Sequence, residues 1–104
     1  MPKIVCVTAC PTGIAHTYIA AEMLEHTGKK LGYTMKVETN GAIGVEHKLS
    51  KKDIEEAIGV IIASDVSLEL TRFEGKHIIE VTTQEAIKNP EKLIKEIIKL
   101  NQGL

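Results

Sequence analysis

Aromatic residues are scarce in this chain: no Trp, one Phe and two Tyr among 104 residues. The core must therefore come from Ile, Val, Leu and Ala, which suits layered strands and helices better than an aromatic-rich binding surface. Cysteine is scarce too. Cys6 and Cys10 do not make a disulfide framework. If residues 4–9 form a strand, each advances about 3.3 Å, and the two Cα atoms stand too far apart to bridge. A reduced, cytoplasmic protein is expected. Neither charge sign is in excess: 13 Lys and Arg against 14 Asp and Glu leave −1. No basic stripe is available for nucleic acid. No apolar run approaches the roughly 20 residues that cross a bilayer, so no direct membrane insertion is expected. No signal peptide is expected, because Met1-Pro2-Lys3 leads straight into a strand-like run.

The elements that remain alternate. "KIVCVTA" (3–9) is a β-branched apolar run suited to a strand buried on both faces. Residues 15–31 have helical spacing through Ala20, Leu24 and Leu31, beside Ile19 and Met23, and stop at Gly32. "YTMKVET" (33–39) reads as a second strand at a sheet edge, and "NGAIG" (40–44) as turn chemistry. Ser50 and Asp53 read as a capping box opening a short helix. "AIGVIIAS" (57–64) and "KHIIEVT" (76–82) read as strands, with a short helix or turn over 67–73. Thr82 or Thr83 is positioned to cap a turn at 84–88. Pro90 then opens a last helix whose apolar face is Leu93, Ile94, Ile97, Ile98 and Leu100. This alternation predicts an α/β fold: one domain over 1–104, a four-stranded parallel sheet flanked by helices on both faces, doubly wound and Rossmann-like.

In such sheets ligands bind beyond the carboxyl ends of the strands. Cys10 falls there, followed by Pro11, Thr12, Gly13, Ile14, Ala15, His16 and Thr17 leading into the first helix. Gly13 lets the backbone turn, Thr12 and Thr17 bring hydroxyls, and N–H groups of the loop and first helical turn point toward the thiol. The loop is thus a candidate phosphate-binding loop. It favours thiolate at Cys10, below the ordinary value of about 8.5, and can hold the oxygens of a phosphoryl group on sulfur.

These residues carry a resemblance. "CPTGIAHT" followed by "AAEML", then "VETNG" at 37–41, "ASD" at 63–65 and "RF" at 72–73, resembles the IIB domain of the fructose-specific phosphotransferase system (PTS) over nearly the whole chain. Asn40 departs from it, standing where Gln is expected. The resemblance implies a sugar-uptake phosphocarrier without a cofactor. Its cysteine, here Cys10, takes a phosphoryl group from a phosphohistidine on the IIA component. It passes the group to sugar, fructose or a relative, held by the membrane IIC component, at the inner face of the cell membrane.

Other chemistries fit the same residues less well. A hydrolase of the low-molecular-weight tyrosine phosphatase type uses C-x5-R-[ST]. Here the spacing is kept but His16 occupies the arginine position, so the permanent bidentate clamp is lost. Such a hydrolase also needs an acid, for which Asp65 is the candidate; capping of the following segment is its alternative role. C-x3-C is not the C-x-x-C of redox sites, and Cys6 is expected in the core. His26, His47 and His77 fall on separate elements, so no metal site is expected. Arg72 is placed to pair with Glu69 or Glu74. Ile14, near the loop tip, is expected either to touch partners or to pack beneath the loop.

Overall fold

The computed structural model describes residues 2–12 and 15–103; Met1, Gly13, Ile14 and Leu104 lie outside the described residues. Strand β1 (Lys3–Ala9) leads to α1 (His16–Lys30), β2 (Thr34–Gly41), β3 (Gly44–Glu46), α2 (Lys51–Glu56) and β4 (Ala57–Ser64). A single 3-10 turn (Thr71–Phe73), β5 (Ile78–Val81), α3 (Thr83–Lys88) and α4 (Pro90–Asn101) complete the chain. The sheet order is β3-β2-β1-β4-β5.

The four expected strands are present and mutually parallel, with β1 central between β2 and β4. The fifth corrects the expected four-stranded sheet. Beyond the Ala42–Ile43 reversal, β3 turns back antiparallel on β2, pairing Thr39 with Glu46 and Gly41 with Gly44. The turn chemistry at 40–44 is therefore a hairpin tip, and β3 takes the outer place beside the last three residues of β2. Three residues of strand with only Val45 strongly apolar carry too little periodicity to read in advance.

Alternation along β1 divides the core. Ile4 and Cys6 face Ala20 and Leu24 of α1 and Leu93, Ile94 and Ile97 of α4. Val5 and Val7 face Ile54 of α2, with Leu49 and Phe73. One face thus carries long helices, and the other a six-residue helix and a 3-10 turn. One close approach and one turn shape the first face. A Cβ at Gly28 would overlap the Met35 side chain, so a larger residue there would have to displace Met35 from between α1 and β2. At Gly32, just past the helix, φ is +93°, which glycine adopts without strain.

The expected caps form. Ser50 accepts from the Asp53 N–H while the Asp53 carboxylate accepts from the Ser50 N–H. Thr82 caps α3, and Pro90 opens α4. Two apolar assignments need correction: Ile19 is 44% exposed and Leu100 39%, both turned off the buried stripes.

Candidate active site

Strand β1 is buried from Ile4 onward, and its last step places Cys10 just beyond the sheet. Thr17, in the first turn of α1, is fully buried and donates its hydroxyl to Cys10 Sγ at 3.0 Å. Thr12 Oγ1 lies 3.5 Å from the same sulfur. Both expected hydroxyls therefore meet the thiol. The thiol is more covered than its place at a strand end suggests, with 9% of the residue exposed. Pro11, Thr12, Ala15 and His16 are exposed around it. Gly13 and Ile14, expected in the same loop, lie outside the described residues. Ala15 enters α1 at φ +35°, a strained value for a residue with a Cβ, costing on the order of 1–3 kcal/mol. No acidic side chain lies in the first turn of α1, so the positive end of the helix is unanswered by its own residues.

Beside Cys10, the end of β4 contributes Asp65. Its N–H donates to the Ala9 carbonyl at 3.1 Å, extending the β1–β4 ladder by one bond. Its carboxylate does not cap the following segment. It reaches α3 instead, accepting from Thr83 N–H at 3.0 Å and Thr83 Oγ1 at 2.6 Å. These two bonds, with the charge of His16, hold the carboxyl below its ordinary range. An acid for a phosphatase needs a proton to give; Asp65 is held as the anion.

Arg72 also lies elsewhere than its neighbours in sequence suggest. It pairs with neither Glu69 nor Glu74. Its guanidinium makes a bidentate contact with Glu38, at 2.8 and 2.6 Å, and stands over the Phe73 ring. The Glu38 side chain is 3% exposed and also accepts from Leu49 N–H and Asn40 Nδ2. Burial alone would raise the Glu38 carboxyl, but these donors hold it below the usual range. A glutamate within the run read as a strand was the available sign of such a pair. The groove beside it, of about 630 Å³, is walled by Val7, Glu38, Asn40, Ile62, Leu68 and Arg72. Its walls do not include Cys10.

Cys6 is the opposite of Cys10. It is fully buried in the α1-facing core, and burial pushes its thiol far up. His26, His47 and His77 are exposed on three different segments. Among the described residues no three His, Cys, Asp or Glu gather as a metal site, and no helix is long and apolar enough to cross a membrane.

A thiol at a strand end, met by hydroxyls from the head of a helix, suits a phosphoryl acceptor. Residues 5–96 match the model of the family described as the PTS system, lactose/cellobiose-specific IIB subunit. The chain belongs to the PTS IIB family. Within it, several relatives are of fructose type. The Escherichia coli K12 fructose-like EIIB component 2 is 44% identical over 98 residues, covering 93% of this chain and 92% of that protein. The Bacillus subtilis fructose-specific EIIABC component is 48% identical over 94 residues, of which this chain spans only 15% of the length. A domain of the Borrelia burgdorferi fructose-specific IIABC component superposes with a TM-score of 0.91 at 50% identity, covering 94% of each chain. As a IIB component the chain is a phosphotransferase of the sugar phosphotransferase system, and the hydrolase alternative is not favoured. The Glu38–Arg72 and Asp65–Thr83 contacts also give physical reasons for the "VETNG", "RF" and "ASD" motifs, since each joins segments far apart in sequence.

Proposed function

We propose that this IIB domain, spanning 1–104, carries a phosphoryl group on Cys10 during sugar uptake. The Cys10 thiolate attacks the phosphorus of a phosphohistidine on the IIA component. The S–P bond forms as the P–N bond breaks, and the imidazole leaves with the electron pair. A sugar hydroxyl, of fructose or a similar sugar held by the IIC component, then attacks the phosphorus. The S–P bond breaks, the thiolate returns, and the hydroxyl proton passes to solvent. The donor and acceptor are suggested by relatives that name IIA, IIB and IIC portions in one protein. The domain acts in the cytoplasm, at the inner face of the membrane, through IIC.

The observation that carries this reading is the Thr17 hydroxyl aimed at Cys10 Sγ from the first turn of α1. A donor there stabilises thiolate and leaves the sulfur as acceptor of charge. The segment Pro11, Thr12, Gly13, Ile14, Ala15, His16 and Thr17 is the proposed cradle for the phosphoryl oxygens, since the head of a helix favours anions. Positioning and charge stabilisation are what phosphoryl transfer asks of a protein.

Incubation with the phosphorylated IIA portion of the Bacillus subtilis relative tests the reading. One phosphoryl mass should appear on the Cys10 peptide and vanish in Cys10→Ser. Thr17→Val should slow its appearance about tenfold, as loss of one hydrogen bond to a charged group implies. A phosphoryl group that persists in Cys10→Ser overturns the assignment.

A further inference from the structure

The two faces of the sheet are covered unequally. On one face α1 and α4 pack along the strands. On the other, α2 leads into the amino end of β4, and the crossover from β4 to β5 holds a single 3-10 turn in place of a helix. Toward the carboxyl end this leaves the groove of about 630 Å³ over Val7 and Ile62, with Val45 and Leu68 among its walls. Val45 is 53% exposed, and Ile43, at the tip of the same hairpin, 80%. A second cleft, of about 540 Å³, shares Ile62 and Leu68 with the groove. Asp65 and Glu80 line it, and no Lys, Arg or His does among the described residues. Ser64 fixes the turn at its edge, accepting from the Val66 N–H at 3.0 Å and donating to the Val66 carbonyl at 2.6 Å. The bond from the Asp65 N–H to the Ala9 carbonyl, at 3.1 Å, ties this cleft to the residue before Cys10.

We propose that these two clefts, one apolar and one anionic, dock the cytoplasmic loops of the IIC component. The proposal rests on the phosphocarrier reading. Two adjoining clefts of this kind fit a loop that carries an apolar side chain beside a Lys or Arg. Cytoplasmic loops of membrane proteins have an excess of Lys and Arg, which the Asp65–Glu80 cleft complements. In the apolar groove the cations are Lys48 and Arg72, and Arg72 is already bound to Glu38. A phosphoryl group on Cys10 adds about two negative charges next to the anionic cleft. The loaded domain therefore meets basic loops more tightly than the unloaded one, and lets go once the group has passed to sugar.

The experiment compares two rates. The first is phosphorylation of Cys10 by the phosphorylated IIA portion of the Bacillus subtilis relative. The second is discharge of that group by fructose with inverted membrane vesicles carrying the IIC portion of the same relative. Val45→Ser and Glu80→Gln should each slow the second rate about tenfold and change the first less than about twofold. Both side chains are exposed in the free domain, and circular dichroism of the variants should match the wild type. Raising salt from about 0.05 to about 0.5 M should slow discharge of the wild type more than that of Glu80→Gln. In co-sedimentation the phosphorylated domain should follow these vesicles at least about threefold better than the unphosphorylated one. Equal slowing of both rates, an unchanged second rate, or the same salt response in Glu80→Gln overturns the inference. So does equal co-sedimentation with vesicles that lack IIC, or failure of the IIC vesicles to bind or discharge the wild type. Absence of any phosphoryl group on Cys10 in the wild type would instead remove the phosphocarrier reading.

Discussion

At the amino end of β1, Lys3 and Lys36 each bring an ammonium 2.7 Å from a different oxygen of Asp53. That carboxylate also accepts from the Ser50 N–H, so the cluster ties β1 and β2 to the start of α2. At the carboxyl end the sheet gathers a thiol, hydroxyls and the Asp65 carboxylate, and among the described residues no Lys or Arg is bonded to Asp65. Opposite charges that neutralise each other make a fastening. A thiol polarised by hydroxyls at the head of a helix is suited to meeting an anionic ligand. The Lys3–Asp53–Lys36 cluster at one end thus serves stability, while the other end gathers groups suited to chemistry.

The largest expected difference lies between the two thiols on either side of that divide. Alkylation of the folded protein should modify Cys10, whereas Cys6, sealed in the core, should react at least about 100-fold more slowly until the chain opens. Peptide mapping after timed exposure checks this, and equal rates would erase the contrast. Next is Asp53→Asn. It should lower stability by about 2 kcal/mol in denaturant melts while the phosphorylation rate of the folded fraction is unchanged. Lys3 first, then Lys36 and the Ser50 N–H, hold the Asp53 carboxyl well below its usual range. Its contribution is therefore complete above the unfolded value, near pH 4, and is lost as pH falls below it. Melts between about pH 5 and pH 2 should show a shallower loss for Asp53→Asn than for the wild type. The smallest effect is expected at Glu56, whose contact with Lys3 is 3.3 Å and whose side chain is half exposed. Glu56→Gln should change stability by less than about 0.5 kcal/mol. A larger loss would mean that the outer charge belongs to the fastening.

Elements with a strong local signal were legible in the sequence. The run "AIGVIIAS" is strand β4 to the residue, and Ser50–Asp53 forms the capping box its spacing announced. Cys10 and its two threonine neighbours were legible because motif and strand end coincide. What escaped was long-range pairing. Arg72 crosses 34 residues to Glu38, and Thr83 lies 18 residues from Asp65; local spacing carries no information about either. The hairpin strand β3 escaped for a different reason, being short and mostly exposed. Leu100 was misplaced because the α4 stripe ends one turn before the helix does.

The two border strands of the sheet, β3 and β5, are only three and four residues long, and Glu80 of β5 is exposed. A visiting protein finds little unpaired backbone to zip onto. Encounters are thereby steered to the strand tips, where contact is made by side chains and loops and can be undone quickly. For the phosphocarrier proposed above, which would meet a donor and then an acceptor, borders that do not adhere favour turnover.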